Sequence, residues 1–534
     1  MQWPVSILNR TCVETHFGNR KLTCFSDRPA NINIMFEETL RCHGSGEALV
    51  SNDTRLSYTD LDSKVSVLAA GLHKNGINAG DRVAMLIGNR SEYLIVLLAV
   101  LRLGAIAVPV NIREQTPELT YILNHCGATL LIHDHAIESR LPNPDDLQLK
   151  QKRYSIGGSA ESSFDYLTLY DHGSRSESTP VKEEDVAIIL YTSGTTGLPK
   201  GAMLTHFNIV HSCMHFQYCM DLNQGDRSLL TVPASHVTGV IAILLTMLRV
   251  RGCTVIMESF DAQEAMKLTA AEAVTHTVMV PAMYKLCLLR CDLNNYDLSA
   301  WRIGGFGGAP MPVSTIKALA QLLPGLSLIN AYGSTEVTSP ATILPIKTAG
   351  KHSDSVGIAV PCADIRIVDD KGQDLPDGEH GELWIGGPMI VPGYWNNPEK
   401  TQSEFNNGYW KSGDIGSRDS EGYFRLHDRR KDMIIRGGYN IYSAEIENAV
   451  IAHENVIECA AIGRPDPVLG EKNEIIIVAV NASMTQEEIL NYCREKLADY
   501  KVPDYVTFST EPLPRNANGK IIKTLLRQPL ITSV

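Results

Sequence analysis

Apolar positions along the chain change their period repeatedly, and each change marks an element. Leu61, Val65, Leu68, Ala69 and Leu72 recur at helical spacing. Thr59 and Asp62 stand before them at capping-box spacing, and Gly76 is a stop signal. Val83 to Ile87 then reads as a short apolar strand, Ser91 to Leu103 as a second helix and Ala105 to Val110 as another buried strand. Strands alternating with helices predict a mainly parallel sheet covered on both faces.

The pattern weakens from 137 to 184, where Pro142, Pro144, Gly157, Gly158 and several serines predict a surface connection. It returns in Val186 to Leu190, an apolar run without helical period that predicts a buried strand. Between Ser355 and Trp395, the runs Ile365 to Val368 and Glu382 to Ile385 alternate with turns at Asp370-Lys371-Gly372 and Pro376-Asp377-Gly378. A smaller β-rich subdomain is expected there. Past Asp428-Arg429-Arg430-Lys431-Asp432 the pattern restarts. Ser443 is placed to cap a helix containing Ile446 and Val450, strands at Ile457 to Ile462 and Ile475 to Val480 follow, and Thr485 and Glu488 form another capping pair. The expected fold class is therefore α/β, with a large unit over residues 1–429 and a small α+β unit over 430–534.

Composition narrows the function. At 534 residues the chain exceeds one hydrophobic core. A net charge of −12 disfavours nucleic acid as a partner. The twelve cysteines contain no CxxC pair, so reduced thiols and a cytoplasmic setting are expected, rather than a metal or disulfide framework. Tyr93 to Val110 is broken by Arg102 and Gly104, and Gly239 to Leu248 stops at Arg249. Both fall short of the roughly 20 apolar residues of a membrane span and read as buried helices. Nothing fixes oligomeric state, and a homodimer stays open.

The candidate chemistry centres on Tyr191-Thr192-Ser193-Gly194-Thr195-Thr196-Gly197-Leu198-Pro199-Lys200-Gly201, directly after the Val186 strand. Glycines allow a sharp turn and close approach to a ligand. Hydroxyls and backbone N–H groups can surround phosphate oxygens, and Lys200 can neutralise them. The spacing is not that of a P-loop, since Gly194 and Gly197 enclose only two residues. Taken alone, such a string is also a polar hairpin turn.

The whole string resembles the phosphate-binding signature of the adenylate-forming superfamily, in its acyl-CoA synthetase branch. Further strings resemble that family's motifs in the same order. Gly307-Gly308-Ala309-Pro310 is similar to its adenine-side loop. Asn330-Ala331-Tyr332-Gly333-Ser334-Thr335-Glu336 is similar to the segment beside adenine and the acyl carboxylate, which implies Thr335 near phosphate and Glu336 on Mg²⁺. Trp410-Lys411-Ser412-Gly413-Asp414 resembles the ribose motif, with Arg429 as a second ribose contact. Pro233-Ala234-Ser235-His236-Val237-Thr238-Gly239 resembles the acyl-pocket motif, and Gly239, Gly305 and Gly307 are expected to leave room for the acid. Arg429 to Asn440 resembles the interdomain hinge, at Lys431, followed by the coenzyme A tunnel, at Gly437 and Gly438. Tyr500 and Lys501 are the expected contacts for the nucleotide end of coenzyme A, because Val502 and Asp504 stand where some relatives are basic. Pro514 to Ile521 resembles the catalytic-lysine motif, at Lys520. The sequence departs from the family in the string Ser355 to Cys362, which has valine and cysteine where relatives usually carry proline and glycine.

The resemblance implies an AMP-forming carboxylic acid–CoA ligase using ATP, Mg²⁺ and coenzyme A. The absence of an aspartate beside Ser235-His236 points away from amino acids and toward a fatty or aryl acid. Transfer to a carrier-protein thiol and a non-catalytic nucleotide-binding role are the alternatives. Lys520, Glu336 and Asp414 argue against the second.

Overall fold

Helix Tyr58–Lys74 begins one turn of logic earlier than its apolar stripe suggests. Ser57, not Thr59, is the N-cap, and Asp60 reciprocates, closing the capping box. Thr59 instead bonds the carbonyl of Gly44. The computed structural model describes residues 3–52, 54–148, 152–159, 161–170, 173–192, 198–480, 484–516, 519 and 521–527.

Helix Ser91–Arg102 buries every residue from Tyr93 onward. It packs on strands Arg82–Leu86 and Ile106–Pro109 of one sheet and on Glu47–Ser51 of another, so it is apolar on all sides. Its single charged core residue, Arg102, pairs with Asp62 at 2.5 Å. The first sheet has seven strands, in the order Lys200–Thr205, Val186–Thr192, Ile106–Pro109, Arg82–Leu86, Leu130–Asp134, Lys152–Ile156, Phe164–Asp165. The last two come from the segment expected to be a surface connection. Its buried face is short enough that no period shows in the sequence.

The second sheet has nine strands, and at its centre Ser327–Tyr332, Ile303–Phe306, His276–Met279, Arg227–Leu230, Cys253–Ile256 and Glu47–Ser51 run parallel. The apolar run after His236 is a π-helix, Thr238–Leu245, continued by Thr246–Val250 and buried against this sheet. The β-rich subdomain forms a five-stranded antiparallel sheet around Gly381–Gly386 and Tyr409–Arg418.

After Arg429 the chain builds a separate core from Ile434, Ile446, Ile475, Ile489 and Val506. Strands Val456–Asp466 and Gly470–Ala479 extend well beyond their apolar centres. Tyr442, not Ser443, is the N-cap of helix Ser443–Ile451, and its side chain does not cap. The first-turn N–H of Ser443 bonds the Asp428 carboxylate instead. Among the described residues, no helix is long and apolar enough to cross a membrane.

Candidate active site

Ligands bind beyond the carboxyl ends of parallel strands, where loops and helix starts converge. Strands Ile303–Phe306 and Ser327–Tyr332 are neighbours there and deliver two of the expected loops. Gly308 has φ +78°, a left-handed turn that exposes Gly308, Ala309 and Pro310 before helix Val313–Leu322. Gly307 has a different reason: a Cβ there would stand 2.5 Å from the carbonyl oxygen of Ala331. It lets the ends of the two strands close together. Asn330 Nδ2 donates to the carbonyl of Ser355 at 3.1 Å, tying this edge to the following loop.

The hydroxyl of Tyr332 donates to Asp414 Oδ2 at 2.7 Å, and Arg429 Nε lies 3.3 Å from Asp414 Oδ1. Asp414 and Arg429 are register partners on strands Tyr409–Arg418 and Phe424–Arg429, which accounts for their spacing in sequence. Burial and then the Asp414 charge hold the Tyr332 phenol well above its usual range, so it stays a donor. The carboxylate is thus fixed in orientation with a guanidinium beside it.

The phosphate-loop candidate joins antiparallel strands Val186–Thr192 and Lys200–Thr205, with Thr192 facing Lys200. It is therefore a hairpin connection, unlike the strand-to-helix loop of a P-loop. Ser193, Gly194, Thr195, Thr196 and Gly197 lie outside the described residues. Lys200 Nζ binds Glu404 at 2.7 Å and sits 4.4 Å from the centre of the Tyr394 ring. Tyr394 Oη contacts Glu404 Oε2 at 2.6 Å and Glu336 Oε1 at 2.9 Å. Burial, followed by the Glu336 charge, pushes the Tyr394 phenol far up. Two carboxylates, one phenol and one ammonium thus share one cluster, reached from four separate elements.

This donor set fits Mg²⁺: Glu336 is a buried carboxylate, a second carboxylate lies across one hydroxyl, and no sulfur or imidazole takes part. Sequence reading missed Tyr394 and Glu404. Glu404 ends helix Pro398–Glu404, which has no buried residue and so no periodic signal.

His236 and Thr335 line one cleft together with Val110, Glu114, Tyr191 and Ser235. The His236 loop is clamped from outside the motif. Asn89 Oδ1 accepts from Ala234 N at 2.8 Å, Asn89 Nδ2 donates to the carbonyl of Val232, and the Tyr93 hydroxyl donates to that of Ala234. His236 Nδ1 accepts from the Thr238 N–H at 3.3 Å, which leaves Nε2 as the protonated nitrogen. Burial lowers the ring's affinity for a second proton. Glu114 was not expected here; burial raises its carboxyl above the usual range.

Gly239 does not open space for an acid. Its missing side chain admits the backbone of Pro233, whose oxygen would lie 2.3 Å from a Cβ. Gly305 is packed by Val278 and by the terminal methyl of Met220, 3.4 Å from its Cβ position. The Thr277 carbonyl oxygen, 3.1 Å from that position, and Val278, at 3.2 Å, close it more tightly than Met220 does.

At the hinge candidate, Arg430 N donates to the carbonyl of Gly413 and the Lys431 carbonyl accepts from Arg527 at 3.2 Å. Gly437 and Gly438 have φ of +58° and +86° and form the two-residue turn between Ile434–Arg436 and Tyr439–Ile441. A hairpin turn with both φ positive demands glycine on its own account. Tyr439 and Tyr500 stack with centroids 4.8 Å apart. Lys501 is held by both oxygens of Glu445 at 2.8 Å. Lys520 lies outside the described residues; beside it Arg515 pairs with Ile521 across the loop.

Comparison with known proteins gives the same assignment along most of the chain. The profile of the AMP-binding enzyme family matches residues 36–395, and that of the AMP-binding enzyme C-terminal domain matches 445–520. Feruloyl-CoA synthase of an Amycolatopsis species is 36% identical over 89% of this chain and 94% of its own. A long-chain-fatty-acid–CoA ligase of Mycobacterium tuberculosis is 34% identical over 91% of this chain and 95% of its own. The o-succinylbenzoate CoA synthetase of Bacillus subtilis, solved with its acyl-adenylate intermediate, superposes with a TM-score of 0.81 at 27% identity, covering 92% of this chain and 97% of that one. With both family profiles matched in order and relatives aligned nearly end to end, this chain belongs to the AMP-binding enzyme family, in its acyl-CoA synthetase branch.

Proposed function

We infer that the chain is an ATP-dependent, AMP-forming acid–CoA ligase, and we propose a fatty or aryl carboxylic acid as its substrate. The observation that carries the reading is the shared cleft of His236 and Thr335, adjoining Tyr191 at the entry to the phosphate hairpin. An acid held there faces the α-phosphate of an ATP whose ribose lies on Asp414 and Arg429. In the first half-reaction the carboxylate attacks that phosphorus and pyrophosphate leaves. Lys200 would exchange Glu404 for phosphate oxygens, and His236 Nε2–H would donate to the substrate carboxylate. Mg²⁺, held by Glu336, would neutralise charge on the phosphates. Positioning and charge neutralisation supply most of the rate.

In the second half-reaction the coenzyme A thiolate attacks the acyl carbonyl and AMP leaves. We propose that residues 430–534 turn about Lys431 between the steps, carrying Lys520 into the first and Gly437-Gly438 toward the second. One cleft then serves two geometries. The fatty or aryl acid is supported by the apolar packing of Met220 and Val278 at Gly305 and by the acids named for the relatives above.

Pyrophosphate release screened over short, medium and long-chain fatty acids, aryl acids and α-amino acids tests the proposal. Amino acids belong in the screen because Glu114 lines the cleft. Turnover of fatty or aryl acids, with AMP release dependent on coenzyme A, is expected. Turnover of amino acids alone overturns the substrate class. AMP release that needs a carrier protein overturns the acceptor.

A further inference from the structure

The N-terminal hairpin, Thr11–His16 with Arg20–Phe25, lies apart from the cleft and carries chemistry that acid activation does not use. Alternate residues of a strand share a face, so Cys12, Glu14 and His16 point the same way. Cys24 is the register partner of Cys12 and joins them on that face. His16 is 6% exposed and Cys24 is fully buried. One ligand atom each from Glu14, His16 and Cys24 lie within 4.8 Å of one another. Cys12 Sγ is 3.0 Å from Glu14 Oε1.

His16 has a carboxylate on each ring nitrogen. Nε2 is 3.0 Å from Glu14 Oε2, and Nδ1 is 3.1 Å from Glu184 Oε1. A neutral imidazole has one ring proton and satisfies one of these contacts; the other sets a lone pair against a carboxylate. Arg28 binds Glu14 and Glu183, each at two positions, but it is one cation facing the carboxylates of Glu14, Glu183 and Glu184. A metal cation at His16 Nε2 would add positive charge where the carboxylates outnumber Arg28.

We propose that Glu14, His16 and Cys24 bind a zinc ion through one carboxylate oxygen, one imidazole nitrogen and one thiolate. Sulfur, imidazole and carboxylate donors together select zinc over Mg²⁺ or Ca²⁺. Nδ1–H donation to Glu184 fixes the ring and directs Nε2 at the metal, a recurring arrangement around zinc-bound histidines. Bond lengths of about 2.0–2.3 Å place tetrahedral ligand atoms roughly 3.3–3.8 Å apart, so the cluster closes by about 1 Å on binding. Zinc binds the thiolate form of cysteine, so binding releases the Cys24 proton to solvent. The ion would fasten the hairpin to Glu183-Glu184, the approach to strand Val186–Thr192 and its phosphate hairpin. The site stands independently of the ligase assignment.

The test uses the full chain, treated with chelator and titrated with Zn²⁺ by calorimetry in two buffers of different ionisation enthalpy. One equivalent bound with proton release is expected. Co²⁺ in its place should give a thiolate-to-cobalt charge-transfer band, and X-ray absorption of the zinc form should count sulfur among the ligands. Cys24→Ser and His16→Gln should each weaken Zn²⁺ at least about tenfold. The cobalt and X-ray readouts need only wild-type protein, so they decide the question even where a variant fails to fold. No stoichiometric binding overturns the proposal. Sulfur-free coordination, or binding unchanged in both folded variants, also overturns it.

Discussion

Replacing Tyr394 with phenylalanine removes one oxygen atom from the point where Glu336, Glu404 and Lys200 meet. The ring is 2% exposed and Glu336 is 6% exposed, so water cannot readily take the hydroxyl's place. A hydrogen bond to a charged acceptor contributes about 1.5–3 kcal/mol. At 1.4 kcal/mol per decade this is about 10- to 100-fold. That range also matches the effect of disturbing groups that orient metal ligands, about 10- to 100-fold in affinity or activity. Tyr394→Phe should therefore raise the Mg²⁺ concentration for half-maximal pyrophosphate release by about tenfold or more. The KM for the acid should change little, because Tyr394 is not among the residues lining the His236 cleft. The assay is the initial rate of pyrophosphate release at fixed ATP and acid across a Mg²⁺ series, with circular dichroism confirming the fold. An unchanged Mg²⁺ dependence would refute the claim that this hydroxyl orients Glu336.

Gly239→Ala places a methyl group 2.3 Å from the Pro233 oxygen and must move the His236 loop. kcat/KM for the acid should fall about 10- to 100-fold, as small misplacements of a catalytic group do, and an unchanged value would remove the loop from acid binding. Gly438→Leu puts a side chain at φ +86°, which costs about 1–2 kcal/mol in a turn of the small domain. Single-turnover assays should show thioester formation falling at least tenfold more than adenylation; equal losses would refute a tunnel role. Buried His206 and His276 are lowered by burial to about 4, and His215 to about 3. Each is neutral when folded but gains a proton near pH 6.5 when unfolded, so stability present above that pH is lost as pH falls toward 4. The slope is about 1.4 kcal/mol per pH unit for each group, and a Tm that stays flat from pH 7 to 4.5 would contradict it.

The sequence by itself determined the elements whose signal is local. Helix Ser91–Arg102, strand Val186–Thr192 and the turns at Gly372 and Gly378 follow from period and turn chemistry within a few residues. Strings such as Asn330 to Glu336 and Trp410 to Asp414 were legible for the same reason, each being contiguous in sequence. Tertiary structure decided what depends on register and on approach from elsewhere in the chain. Asp414 meets Arg429 because two antiparallel strands align them, and Cys12 meets Cys24 in the same way. Tyr394 reaches Glu336 from an isolated bridge to Ala202, and Glu404 joins through Tyr394 from an exposed helix with no period to read. The glycines show the division most plainly. Sequence could say that residues 239, 305, 307 and 438 lack side chains. Only the packed structure shows that Pro233, Thr277 with Val278, and Ala331 crowd the first three spaces, while a left-handed turn claims the fourth. A side chain's neighbours come from chain segments far away in sequence, and short-range periodicity carries no information about which segments those are.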